Sequence, residues 1–287
     1  MNKPPKGKHM AGIIPLSGRK DVLGFPWPDY LTPIGPGYLA VERSVTEAAL
    51  AGCDSIWIVC NDDVAPLLKK RLGDYVLDPI LFENWNFVQK KTDYEKYIPI
   101  YYTPISQKDR DRRDSLGWSV LHGAITAFVV SSKMSSWVIP SKYFVSFPGG
   151  IYSPYPLVKC RARIRGSDSF YVTHEGQTVK EGKPLAFTFF PEDWNTYRWH
   201  IKRSCTRGDK SLPAHERWSS RNFSLDKIFG LDIIDIQDTF EVPEFYTLDS
   251  WTSLQECYRS ENKIYNPSKK FIKPYHFKRG LQEDEEN

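Results

Sequence analysis

Residues 55–60, SIWIVC, carry five apolar side chains in succession between Asp54 and the polar trio Asn61, Asp62 and Asp63. A strand with one wet face alternates polar and apolar residues, so an unbroken apolar run needs cover on both faces. That places the run inside a parallel sheet with helices above and below it. The neighbouring segments supply those helices. In YLAVERSVTEAALAGC (38–53), Leu39, Val41, Val45, Ala49 and Leu50 fall near helical spacing, and Gly52 marks the stop. DVAPLLKKRLGD (63–74) reads as a second helix, with Asp62 or Asp63 as cap, Pro66 in the first turn and Gly73 at the end. With MAGIIPL (10–16) as a first strand, the order is strand, helix, strand, helix, the opening of a doubly wound α/β fold.

The rest of the chain extends this plan and then changes texture. GFPWPDYLTPIGPG (24–37) is expected to be irregular, because its prolines fix φ and remove donors. YIPIYYTPI (97–105) is a third strand, and DSLGWSVLHGAITAFVVSS (114–132) is a helix capped by Asp114 and Ser115. KYFVSFP (142–148) is a fourth strand, ending at Gly149 and Gly150. From residue 159, short strand-like segments separated by polar glycine turns suggest an antiparallel section, followed by a helical one over 192–221. FGLDIIDIQDTF (229–240) and FYTLDSW (245–251) return to strand character and to the first sheet, and SWTSLQECYRSEN (250–262) forms a last helix. The expected architecture is a three-layer α/β/α domain with a doubly wound, mostly parallel sheet. It occupies residues 10–262, with an antiparallel and helical insert at about 159–221, between a basic tail (1–9) and a C-terminal tail (263–287).

Composition narrows the partners. A formal charge of +4 over 287 residues makes no demand for nucleic acid. The arginines at 110, 112 and 113 alternate with Asp109, Asp111 and Asp114, as on a solvated loop. Cysteines at 53, 60, 160, 205 and 257 show neither zinc-ligand spacing nor an even count, which fits a reducing compartment. The first ten residues lack the apolar stretch of a signal peptide, and no apolar run reaches transmembrane length, so a cytoplasmic protein without a membrane partner is expected.

Chemistry enters where the first strand opens into Leu16, Ser17, Gly18, Arg19 and Lys20. Backbone N–H groups in such a turn can face phosphate oxygens, with the two basic side chains supplying charge. Together AGIIPLSGR, FPWPDYLTPIGPG and AGCDSIWIVCND resemble the amino-terminal half of the sugar nucleotidyltransferases, of the nucleotide-diphospho-sugar transferase fold. Arg19, Pro28, Leu31, Pro33, Ile34, Gly35, Ala51, Gly52, Ile56, Ile58 and Val59 follow that family's outline in order. The resemblance covers residues 11–75 well and 97–150 loosely, with an echo in FYTLDSWTSLQECY from residue 245.

The resemblance implies transfer of a nucleotidyl group from a nucleoside triphosphate to a sugar phosphate or related phosphorylated molecule. It assigns residues 16–20 to the phosphates and Arg19 and Asp249 to catalysis. Asp249, partnered by Asp62 or Asp63, would hold Mg²⁺. Three departures stand out: a loop with one glycine, Pro28-Asp29 in place of Pro-Lys, and Pro148-Gly149 where the fourth strand should end in a carboxylate. They favour an alternative in which the fold survives as a binding or structural protein, with a protein partner or self-association through the 159–221 insert. On residue type alone, Asp29 reads as an exposed loop aspartate, His122 as a core histidine and Asp249 also as a helix cap. The tryptophans, Trp251 among them, read as packing residues.

Overall fold

The computed structural model describes residues 9–18, 23–78, 97–105, 115–204, 211, 224–231 and 236–260. The strands of the first half are β1 (Met10–Pro15), β2 (Pro33–Gly35), β3 (Tyr38–Leu39), β4 (Ser55–Asn61), β5 (Tyr75–Leu77) and β6 (Tyr97–Ile105). Those of the second half are β7 (Lys142–Val145), β8 (Gly150–Ile151), β9 (Phe170–Thr173), β10 (Phe187–Phe189), β11 (Asp238–Glu241) and β12 (Tyr246–Thr247). The helices are α1 (Ala40–Ala51), α2 (Ala65–Leu72), α3 (Leu116–Met134), α4 (Arg161–Ile164), α5 (Asp193–Ser204), α6 (Leu225–Phe229) and α7 (Trp251–Arg259).

Eight strands form the central sheet in the order β11-β9-β10-β7-β1-β4-β6-β5. Its middle is parallel: β1 runs beside both β4 and β7, and β4 beside β6. The chain winds outward from β1 through β4 to β6 and then crosses back to place β7 on the other side of β1. The strand order therefore reverses between β1 and β7, the place where open α/β sheets leave a crevice at their carboxyl ends.

The apolar run behaves as its pattern requires. Ile56, Trp57, Ile58, Val59 and Cys60 are all buried. Ile14, Ile56, Ile58 and Phe144 meet Val41, Val45 and Ala48 of α1 and Leu68 of α2 on one face. Ile13, Trp57, Val59 and Val145 meet Val120, Leu121 and Ala124 of α3 on the other. Helix α1 ends as expected at Gly52, whose φ of 90° is left-handed and whose missing Cβ leaves room for the Arg161 side chain.

Several expectations are refined or corrected. The antiparallel section expected after residue 159 is present, and it extends the central sheet beyond β7. Strand β10 pairs antiparallel with β7 and β9, and β11 then adds parallel to β9. Of the strand expected over 229–240, residues 238–240 lie in β11 of the central sheet, Phe229 closes α6, and 232–235 lie outside the described residues, whereas β12 leaves the central sheet to pair with β8. The Pro-rich stretch contains a 3₁₀ turn, Asp29–Leu31, and a short β2–β3 ribbon. Neither Asp62 nor Asp63 caps α2; Val64 occupies that position with no side-chain bond, because Asp62 Oδ1 accepts instead from the Asp63 amide. In the helical stretch expected over 192–221, α5 ends at Ser204, and residues 205–210 and 212–221 lie outside the described residues.

The second face of the sheet is lined by phenols. Burial pushes the Tyr171 hydroxyl up to about 12 and raises Tyr143 and Tyr197 further. Each is therefore neutral in the folded chain at a pH where the unfolded chain, with phenols near 10, has ionised. Above about pH 10 the unfolded state holds fewer protons, so stability falls as pH rises. Urea unfolding midpoints are expected to drop between about pH 10 and pH 12, and a flat profile contradicts this packing.

Candidate functional site

Strand β1 ends against the carboxyl edge of β4. The amides of Leu16 and Ser17 both donate to the Val59 carbonyl, at 2.8 and 3.1 Å. Ser17 Oγ donates to Asn61 Oδ1 at 2.6 Å, and Ser119 Oγ, from the first turn of α3, donates to the Ser17 carbonyl at 2.5 Å. Gly18 then turns the chain with φ of 84°. The loop is thus fixed to one strand and one helix before it reaches Arg19 and Lys20, which lie outside the described residues. Two of the amides assigned to phosphate by the sequence are bonded inside the fold, and Asn61, not singled out from its neighbours, is the residue that anchors the loop.

A small, mostly apolar cleft, with room for about one water molecule, lies at the strand-order reversal. Pro15 and Leu16 line it from β1, and Phe147, Pro148 and Gly149 from the chain leaving β7. Tyr30, Leu116 and Pro184 complete the lining. Leu116 is the first residue of α3, whose N-cap Ser115 accepts from the Trp118 amide at 3.4 Å. A 19-residue helix therefore directs its N-terminus, the positive end of its dipole, to the cleft wall.

The late aspartate arrives beside the same wall. Strand β12 pairs with β8, and the Leu248 amide donates to the Gly149 carbonyl at 3.0 Å. Asp249 follows immediately, exposed, with Oδ1 accepting from Thr247 Oγ1. It is not the cap of the last helix: Ser250 is, accepting from the Ser253 amide at 3.2 Å. Asp62 and Asp63 are exposed at the far end of β4, next to Asn61.

Among the described residues no group of three His, Cys, Asp or Glu side chains is placed to hold a metal ion. Mg²⁺ is commonly held by one or two carboxylates together with substrate phosphates, a requirement Asp249 can meet in part. Asp29 contradicts its expectation outright: it is fully buried, in a 3₁₀ turn packed against α1.

Beneath the cleft wall lies a charged pair that the sequence did not reveal. Arg43 and Glu47 sit one turn apart on α1, both completely buried, with Nη2 3.3 Å from Oε2. Arg43 Nη2 also donates to the Phe147 carbonyl at 2.9 Å, and its guanidinium lies 4.6 Å from the centre of the Tyr152 ring. Glu47 accepts from Ser146 Oγ and from the Tyr152 hydroxyl. Burial works against the Arg43 charge, but the Glu47 carboxylate outweighs it and keeps the group protonated. The chain leaving β7 is thus held from below at Ser146 and Phe147. An i, i+4 Arg–Glu pair usually reads as a solvated helix face, which hid this one.

The described cysteines, Cys53, Cys60, Cys160 and Cys257, are buried free thiols. His122 is half-buried on α3. Among the described residues no helix is long and apolar enough to cross a membrane.

With its crossover at β1 and β7 and helices on both faces, this is the fold of the nucleotide-diphospho-sugar transferases. The chain is similar in structure to a UDP-glucose pyrophosphorylase complexed with UDP-glucose, at a TM-score of 0.54 and 14% identity, covering 90% of this chain and 100% of that one. It is also similar to a protein from Bacillus anthracis assigned as a glucose-1-phosphate thymidylyltransferase, in complex with sucrose (TM-score 0.52, 11% identity, 91% and 98% covered). A UTP-bound UGPase from Acinetobacter baumannii aligns at 0.50 with 12% identity, over 96% of this chain and 99% of that one. At these identities the likeness is one of fold. No protein-family model matches the chain, and no curated protein is a significant match.

Proposed function

We propose that the chain binds a nucleoside triphosphate and a phosphorylated sugar at the β1–β7 cleft and transfers the nucleotidyl group between them. The observation that carries this reading is the convergence of three elements on the strand-order reversal: the Ser17–Gly18 turn, the N-terminus of α3, and the Asp249 segment bonded to Gly149. A crevice of that kind, faced by a helix N-terminus, favours an anionic ligand. The solved neighbours carry UTP or UDP-glucose in proteins of the same fold.

In this reading Arg19 and Lys20 neutralise phosphate oxygens, and the Gly18 turn sets their approach. Asp249 would hold Mg²⁺, which supplies charge neutralisation at the transferring phosphate. Positioning falls to the rigid floor: the Ser17–Asn61 and Ser119–Ser17 bonds fix one side of the cleft, and the Arg43–Phe147 bond fixes the other. Calorimetric titration with each of the four nucleoside triphosphates and Mg²⁺ is expected to show saturable binding of at least one, weakened about tenfold by Arg19→Ala. Pyrophosphate release is then expected when a hexose 1-phosphate is added. Absence of heat with all four overturns the proposal.

A second reading follows from Pro148 and Gly149, which put no carboxylate at the exit of β7. There the fold binds a nucleotide without turning it over and acts in an assembly, through a protein partner or a second copy at residues 159–221. Nucleotide binding without pyrophosphate release, together with a mass above that of the monomer, selects this reading.

A further inference from the structure

Helix α3 carries an apolar face on each side. Its inner face, with Val120, Ala124 and Ala127, is buried in the core under the sheet, as a covering helix requires. Its outward face presents Ile125, Phe128 and Val129, which are 36%, 39% and 42% exposed. The chain continues through Met134, the last residue of the helix, to Trp137 in the 3₁₀ turn Ser136–Val138, and these two are 65% and 77% exposed. Surface helices ordinarily turn charge to the water, as α2 does with Lys69 and Lys70. Helix α3 does not. From Leu116 to Ser132 it has no Asp, Glu, Lys or Arg, and Lys133 is the one such residue among its 19.

The outward residues also keep a particular spacing. Trp118, His122, Ile125, Val129 and Ser132 follow one another at steps of four, three, four and three, a period of about 3.5 residues. Trp118 and His122 are half-buried, Ser132 is exposed, and Phe128 flanks the row. Such a period draws a straight seam, here about 21 Å long, of the form along which two helices pair.

Charge and size together say what covers the seam. An isologous contact sets a face against the same face of the copy, so any charge on it meets its like. A face without charge meets itself at no such cost. A lipid surface suits it less well. A helix lying on one carries lysines and arginines along a polar side, whereas Lys133 is alone here and the far side of α3 is buried in the core. The five exposed apolar residues present on the order of 500 Å² together, over half of the roughly 800 Å² that each partner buries in a standard interface.

We propose that the outward face of α3, with Met134 and Trp137, is an isologous interface on which a second copy of this chain pairs through the same face. The contact lies away from the cleft, which α3 lines only with Leu116, about 14 Å along the helix from Ile125. It is therefore independent of whether the cleft turns a nucleotide over.

Sedimentation velocity and light scattering on the full chain at micromolar concentration are expected to give twice the chain mass. Val129→Glu places a carboxylate on both sides of the seam and is expected to raise the dimer dissociation constant at least about a hundredfold, leaving a folded monomer. Leu67→Glu, at an exposed apolar position on α2, should leave the dimer unchanged. Circular dichroism separates loss of pairing from loss of fold, and if Val129→Glu does not fold, Ile125→Lys makes the same test from a second position. A parent chain that stays monomeric overturns the proposal. So does a dimer that survives both substitutions, since it sits on another face. A mass that climbs beyond two copies with concentration overturns the closed two-fold contact in favour of head-to-tail association. A monomer that floats with phosphatidylcholine vesicles gives the face to lipid and overturns the pairing as well.

Discussion

Glu47→Ala is expected to cost about 3–5 kcal/mol of stability, the range for removing one partner of a buried ion pair. The loss comes from what the change leaves behind. Arg43 and Glu47 are fully buried, so without the carboxylate a guanidinium remains in the interior with only carbonyl and hydroxyl neighbours. Ser146 Oγ and the Tyr152 hydroxyl lose their acceptor in the same step. Urea unfolding with linear extrapolation measures the difference. The double variant Arg43→Met/Glu47→Leu is expected to recover the part due to the stranded charge, since neutral side chains of similar volume remove it, but not the part due to Ser146 and Tyr152, which still lack their acceptor. A single variant within about 1 kcal/mol of the parent contradicts a buried Arg43–Glu47 ion pair.

Recovery of stability in the double variant need not restore function. The Phe147 carbonyl loses the Arg43 donor in that variant too, and Phe147 with the next two residues forms the cleft wall. Stability and nucleotide binding are therefore expected to separate there.

How far the sequence reveals this molecule depends on the length over which a pattern repeats. The parallel centre was legible because IWIVC and MAGIIPL are long enough for period and continuity to show, and because Gly52 and Gly73 punctuate the helices between them. Strands β5, β8 and β12 hold three, two and two residues, below the length at which alternation can be recognised. Their placement comes from tertiary pairing. The antiparallel strands were recognised, but the edge they extend was not, since nothing in FYVT or FTF names β7 as neighbour.

The site was harder to read. Leu16 and Ser17 lie where a phosphate loop belongs, yet their amides bond the Val59 carbonyl, a choice set by the register of β1 on β4. Asp29 looked exposed because charged loop residues usually are, and it is buried because the turn carrying it packs under α1. Trp251 was read as packing because most tryptophans pack, whereas the first position of α7 leaves it at the surface.

Gly150→Ala is expected to disturb the site most directly. A Cβ at that position would sit 2.0 Å from the Pro184 carbonyl oxygen and 3.0 Å from Cε2 of Phe245. The nearer contact is backbone, so no rotamer change relieves it. At Gly123, by contrast, the close atoms are methyl groups of Val59 and Ile13, which can shift. Either Pro184 or β8 has to move, and both border the cleft: Pro184 lines it, and β8 holds β12 through the Gly150–Thr247 and Ile151–Tyr246 pairs. Overpacking of this kind costs about 1–3 kcal/mol, and a displacement near 1 Å at a reacting centre costs about 10²-fold in rate. If the proposed transfer takes place at this cleft, the larger effect is expected there, with the fold retained. Hydrogen exchange locates the disturbance: the Leu248 amide, bonded to Gly149 in the parent, is expected to exchange faster in the variant, while amides of β1 and β4 keep their protection. Unchanged exchange at Leu248 in a folded variant means that β8 absorbs the methyl group in place. In that case the link from Gly150 through β12 to Asp249 does not control the site.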